Sequence, residues 1–164
     1  MGKRARPTHA GTPATTVLTR AGIAFEVLTY DHDPGAGSFG LEAAAALGVE
    51  PGRVFKTLLV TTDHGLAVGI VPVDRSLDLK AIATALRVKK AAMAEPGDAE
   101  RSSGYVVGGI SPIGQKRALP TVLDESANDH DTILVSGGRR GFDVELSPTD
   151  LASVTRASCA PISR

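Results

Sequence analysis

The sequence predicts a single α/β domain of the α+β type: a mixed, mostly antiparallel β-sheet curled into a barrel-like core, with helices packed outside. Three observations predict it. The chain has 164 residues, the usual size of one domain. Hydrophobic residues make up 42% but aromatics only 4%, with no Trp, so a core is affordable but must be built from Val, Leu, Ile and Ala. The elements read helix, strand, helix, two strands, helix, then mostly strands, without the steady alternation of a doubly wound fold.

Each element has a local cause. Thr12-Pro13 starts a helix, with a capping hydroxyl and proline at the first helical position; Gly22 follows where the helix stops. Ile23, Phe25 and Val27 alternate with Ala24 and Glu26, then Leu28 and Tyr30 follow, which is strand periodicity. Asp31-His32-Asp33-Pro34-Gly35 is a loop, and Ser38 caps an Ala-rich helix over Phe39–Leu47, closed by Gly48. Val54–Thr62 and Leu66–Val73 are long β runs, joined by a hairpin turn at Asp63-His64-Gly65. Pro72 sits at the end of the second run, where a missing N–H is tolerable.

Leu79, Ile82, Ala83 and Leu86 recur at helical spacing, giving an amphipathic helix over Asp78–Leu86. Val88–Met93 reads as a short strand and Glu95–Arg101 as a short helix. Beyond Gly104, Tyr105–Gly109, Leu119–Asp124, Thr132–Ser136 and Phe142–Leu146 are short apolar runs between Gly- and Pro-rich loops. Ser147-Pro148-Thr149-Asp150 opens a final helix. Residues 1–11 read as a flexible basic tail and 12–164 as the folded domain.

Lys+Arg and Asp+Glu are both 18, so the formal net charge is zero. That excludes strong non-specific nucleic-acid binding but not a local basic patch. The lone Cys159 excludes an internal disulfide or a Cys-based zinc site, and fits a reducing, cytoplasmic setting. The start, with Lys3, Arg4 and Arg6 but no apolar run after them, is not a secretory signal. No stretch approaches the roughly 20 apolar residues that span a bilayer, so no membrane partner is expected.

Four features carry possible chemistry. Lys56 lies inside an apolar strand, where a lysine either snorkels to solvent or points into a polar cleft. Gly108-Gly109 and Gly137-Gly138 each follow a short strand, where they serve as tight turns or let a ligand approach backbone N–H groups. Neither matches a P-loop or a dinucleotide fingerprint. Ser136 lacks the Gly-x-Ser-x-Gly elbow, and Asp143 is either a buried orienting carboxylate or an exposed strand residue. His9, His32, His64 and His130 are scattered without metal-ligand spacing. The basic pairs are Lys89-Lys90, Lys116-Arg117 and Arg139-Arg140; the last two adjoin the glycine loops and would place positive charge at a shared rim.

Eight segments together carry a resemblance that runs from about Thr12 to about Leu151. They are Thr29–Pro34, Ser38-Phe39-Gly40, Val54–Val60, Leu77–Lys80, Arg101–Tyr105, Val107–Gly114, Gln115–Pro120 and Val135–Glu145. The chain resembles the YbaK/EbsC family, the bacterial Cys-tRNA(Pro) deacylases, and the related editing domain of many bacterial prolyl-tRNA synthetases. The resemblance implies hydrolysis of the aminoacyl ester at a tRNA 3′ end, with prolyl-tRNA synthetase as partner, no cofactor and no metal.

Carried over by position, Lys56 matches the family's essential lysine, with Gly108 as its companion in catalysis. Tyr30 and Phe39 match pocket aromatics. Ser136 and Asp143 match cleft residues, and Thr57, Gly109 and Gly137 join them on the substrate-binding side. Phe55 stands where a tyrosine is common, so a hydroxyl is lost there. An activated ester needs little beyond positioning and stabilisation of its carbonyl oxygen. The resemblance further implies that the cysteine's own thiol assists. The alternatives are a deacylase for another small amino acid such as Ala, a non-catalytic binder of RNA ends or nucleotides, and a serine esterase using Ser136, for which no base is placed.

Overall fold

The computed structural model describes residues 11–164. The expected tail therefore lies, apart from Gly11, outside the described residues, as does His9. Helix α1 (Pro13–Arg20) starts at Thr12, whose hydroxyl accepts from the Thr15 N–H while the Thr15 hydroxyl accepts from the Thr12 N–H. The Thr12 hydroxyl also donates to the Gly137 carbonyl, tying the helix start to the distant glycine pair. Strand β1 (Glu26–Thr29) is shorter than its alternation suggested. Helix α2 (Phe39–Leu47) has the expected bounds, with Ser38 accepting from the Leu41 N–H and Gly48 left-handed at φ 67°.

Strands β2 (Phe55–Thr62) and β3 (Gly65–Pro72) form the hairpin, in register from Phe55 opposite Pro72 to Thr62 opposite Gly65. Helix α3 (Leu79–Leu86), strand β4 (Ala91–Met93) and helix α4 (Pro96–Ser103) follow. After them come β5 (Thr121–Asp124), β6 (Ile133–Arg139), β7 (Phe142–Leu146), α5 (Pro148–Thr155) and β8 (Ser158–Ala160). Two expectations change. Tyr105–Gly109 is not a strand: the Tyr105 hydroxyl donates to the Ile113 carbonyl at 2.7 Å and folds this segment back on itself as a loop. Strand β8, too short and polar to announce itself, pairs in parallel with β5.

The strands form two sheets, ordered β4-β2-β3-β5-β8 and β1-β7-β6. A parallel bridge between Val54 and Leu134 joins them just before β2. The first sheet is mixed, with β5 parallel to β3 and to β8, and the second is antiparallel throughout. Between the sheets lies the largest core, with Phe55, Leu59, Ile70, Leu123, Val135 and Val144 covered by Leu18 of α1 and Leu151 of α5. The opposite face of β2 and β3 packs Val60, Val71 and Ala67 against Ile82 of α3. Both faces of β2 are thus buried, which is why alternation could not assign a solvent side to Lys56.

The C-terminus is fastened by backbone bonds to Ser76 and Asp78 and by one buried carboxyl. Asp124 accepts from the Ser126 N–H and hydroxyl, and from the N–H groups of Ile162 and Ser163. Burial pushes its pKa up, but these four donors outweigh burial and hold it below the usual carboxylate value.

Candidate active site

Strand β4 pairs with β2 over Val60–Thr62, and the Ala94 N–H just beyond it bonds to the Leu59 carbonyl. That edge, from Phe55 to Leu59, borders a cavity of about 370 Å³. Its other walls are the start of α2 (Ser38, Phe39 and Gly40), the Val107-Gly108 loop, Ser136 and Asp143 from the second sheet, and an apolar wall of Met93, Ala94, Pro96, Ala99 and Ile110. An open strand edge lets consecutive residues reach one space, so Lys56 and Thr57 both line it although their side chains start on opposite faces.

Two of the polar groups around this cavity, the Lys56 ammonium and the Thr57 hydroxyl, lack hydrogen-bond partners among the described residues. The side chain of Lys56, which stands opposite Val71 in the register, makes no hydrogen bond or ion pair with any described residue. Burial pushes its pKa down, and the negative charge of Asp74 acts the other way. The Thr57 hydroxyl oxygen is buried and has no hydrogen-bond partner. Asp143 is only 6% exposed, and burial pushes its carboxyl up to about 7. Of its two possible readings, the buried one holds. It faces Ser136 across β6–β7 and Leu28 across β1–β7. Burial also raises Tyr30 to about 12, with the negative charge of Asp143 adding to the effect. Unpaired buried polar groups cost about 1–3 kcal/mol each, a cost that a polar ligand relieves on binding.

Ser136 accepts from the Gly138 N–H at 3.2 Å, a local turn bond. Among the described residues no histidine lines the cavity, so none of them serves the serine-esterase reading as a base. Gly108 adopts φ 88°, and a Cβ there would lie 2.9 Å from both the Phe39 ring and the Arg140 Nε. Phe39 also stacks at a tilt on His32, with centroids 5.5 Å apart, while Glu42 holds the His32 Nδ1 at 2.8 Å. Glu42 accepts from the Asp33 N–H as well, and these two bonds, Asp33 foremost, hold its carboxyl below the usual value.

Of the expected site residues, Tyr30, Phe39, Lys56, Thr57, Gly108, Ser136 and Asp143 converge on this cavity, whereas Gly109 and Gly137 do not line it. Both are glycine for packing reasons. A Cβ on Gly109 would strike the Arg139 backbone at 2.6 Å, and one on Gly137 the Phe142 ring at 2.5 Å. The second glycine loop is in fact the bulged end of β6 and its tight turn into β7. Lys116 and Arg117 bond through their N–H groups to Ser103 and Ser102, and do not line the cavity. The sequence reading missed the apolar wall from Met93 to Ile110, and Phe55 as a cavity residue. The exposed Met93, at 49%, gave no periodic signal from so short a strand. Among the described residues, no three of His, Cys, Asp and Glu group as metal ligands, and no helix is long and apolar enough to cross a membrane.

Comparison with known proteins bears on this geometry. Residues 34–154 match the model of the aminoacyl-tRNA editing domain. A protein of Enterococcus faecalis assigned as the Cys-tRNA(Pro)/Cys-tRNA(Cys) deacylase EbsC is 43% identical over 120 residues, 73% of each chain. A proline–tRNA ligase of Fervidobacterium nodosum is 26% identical over 101 residues, 62% of this chain but 17% of the ligase. A crystal structure assigned as a trans-editing enzyme for prolyl tRNA synthetase superimposes with a TM-score of 0.81 at 24% identity, covering 93% of this chain and 95% of that one. A crystal structure of a hypothetical protein gives 0.84 at 25% identity, covering 93% of this chain and all of the other.

Proposed function

The chain belongs to the aminoacyl-tRNA editing domain family, and on that footing we propose that it is a trans-editing deacylase that hydrolyses Cys-tRNA(Pro). The observation that carries this reading is the meeting of Lys56, Gly108, Ser136 and Asp143 around one small cavity with an apolar wall. The ammonium of Lys56 anchors the ribose or phosphate of the terminal nucleotide and adds positive charge beside the ester carbonyl. The Gly108 backbone stands in the cavity wall and presents its polar groups to that carbonyl. Ionised Asp143 receives the substrate's α-ammonium, and Thr57 and Ser136 hydrogen-bond to ribose hydroxyls.

The thiol of the substrate then supplies the nucleophile. Its sulfur attacks the carbonyl carbon, and the ester C–O bond breaks. The thiol proton passes to the departing ribose oxygen, leaving a four-membered thiolactone that water opens to free cysteine. The protein's part is to hold this geometry and stabilise the oxyanion. With zero net charge it grips free tRNA weakly, and prolyl-tRNA synthetase supplies tRNA selection. The work is cytoplasmic, where charged tRNA and synthetase are found.

A wall of Ala94, Pro96, Ala99 and Ile110 accepts a methyl group as readily as a thiol, so an Ala-tRNA deacylase is the second reading. The test mixes protein, prolyl-tRNA synthetase and a panel of misacylated tRNAs, and follows ester loss. Faster loss from Cys-tRNA(Pro) than from Ala-tRNA(Pro) supports the first reading, and the reverse order supports the second. No acceleration on any member rejects both.

A further inference from the structure

We propose that Arg140 grips the phosphate on the 5′ side of the terminal nucleotide, at the rim of the cavity. The proposal rests on the deacylase reading above and adds the group that registers the RNA end. Arg140 is exposed in the turn between β6 and β7. Its Nε donates to the Val107 carbonyl at 2.9 Å, and its guanidinium carbon lies 5.1 Å from the centre of the Phe39 ring. Val107 and Phe39 both line the cavity, and the space above Gly108 is taken up by the same Nε. An exposed arginine usually samples many rotamers; this one is fixed at two points over the cavity edge.

The fixed guanidinium has spare capacity. One of its N–H groups is engaged by Val107, and its terminal nitrogens bond to no described residue. A planar fork held in place with free donors suits bidentate binding of a phosphate. The other basic pairs do not compete for this role. None of their residues lines the cavity: the Lys89 backbone lies beside the β2–β3 turn, away from the Phe55 end of β2, and the backbone N–H groups of Lys116 and Arg117 bond to Ser103 and Ser102 of α4. In a chain of zero net charge, no broad positive field holds the RNA, so one placed cation matters more. The 5′-phosphate and the aminoacyl ester of a terminal nucleotide are one ribose apart. A phosphate held at Arg140 therefore sets the ester beside Gly108 and within reach of Lys56.

The test titrates the whole protein with 5′-AMP and with adenosine, followed by NMR. Wild type should bind AMP about tenfold more tightly than adenosine, the lower range for a charge-assisted bond at an exposed site. Arg140→Ala should erase that preference, and Arg140→Lys, which keeps the charge but not the fork, should retain part of it. On Cys-tRNA(Pro), Arg140→Ala should raise KM about tenfold with little change in kcat, and should lower the slope of log KM against log salt by about 0.7. Wild type that binds AMP no better than adenosine, or not at all, overturns the proposal. So does a fall in kcat at unchanged KM and salt slope, which would make Arg140 a brace for the glycine loop. Failure of the deacylase reading looks different: wild-type protein then leaves every misacylated tRNA intact, whatever its preference between AMP and adenosine.

Discussion

A Cβ on Gly108 would lie 2.9 Å from two carbons of the Phe39 ring. The loop and the first residue of α2 therefore fit together only when position 108 is glycine, and its φ of 88° reinforces that demand. Gly108→Ala should cost about 1–2 kcal/mol of stability from the backbone conformation and the clash together. It should also lower kcat/KM at least about tenfold, because the ring and the loop wall must separate around the ester. Thermal unfolding and steady-state deacylation check the two effects separately.

Asp143 should make stability depend on pH in an unusual direction. The folded carboxyl keeps its proton up to about pH 7, because burial penalises the charge, while in the unfolded chain it ionises near 4. Between those values the folded state holds more protons, so stability falls as pH rises from about 4 to about 7. Asp143→Asn should abolish this slope and gain on the order of 2–4 kcal/mol at neutral pH. Its KM for misacylated tRNA should rise, and the wild-type improvement in KM as pH climbs through about 7 should disappear. Urea unfolding across pH, with and without the substitution, is the measurement.

Asp124 should behave the opposite way. Its folded pKa is depressed, so its contribution is present above the unfolded value near 4 and is lost as pH falls through the folded value. Asp124→Ala orphans the N–H groups of Ile162 and Ser163, and should cost roughly 2–4 kcal/mol. The activity of the molecules that remain folded should be unchanged, because Asp124 does not line the cavity. Faster amide exchange at Ile162 and Ser163 would show the loss of these two bonds directly.

Thiol assistance has its own consequence. A tRNA(Pro) charged with 2-aminobutyrate keeps the size of cysteine but replaces the sulfur with a methyl group. It should bind comparably and be hydrolysed at least about a hundredfold more slowly, the scale of losing a positioned nucleophile. Equal rates on the two substrates would assign the attack to water instead.

Much of this was legible in the sequence, for stated reasons. Ser38 before an Ala-rich run and Gly48 after it specify α2 to the residue, because cap and stop are both local. The β2–β3 register follows from its turn. What stayed hidden depends on distant contacts. Strand β8 exists because β5 offers it an edge, not because Ser158–Ala160 prefers strand. The mixed, curled sheet divides into two hydrogen-bonded parts, which among the described residues the single Val54–Leu134 bridge joins. In the site, strand periodicity could not place Lys56, because both faces of β2 are covered and the cavity lies along its edge. Gly109 and Gly137 read like ligand-approach glycines but make room for the Arg139 backbone and the Phe142 ring. No local pattern separates those two uses of glycine. The position of Arg139-Arg140 beside a glycine loop suggested charge at a cleft rim, but only the fold sets Arg140 over Phe39.

The most direct test of the account is the single-turnover rate of ester loss from Cys-tRNA(Pro) with wild type and with Lys56→Ala. The Lys56 side chain makes no hydrogen bond or ion pair with a described residue, so its removal should leave the fold intact. The account predicts rapid loss with wild type and a drop of roughly 10²–10³ with the variant, the scale of removing one oxyanion-stabilising group. A folded Lys56→Ala protein that deacylates at the wild-type rate would contradict it.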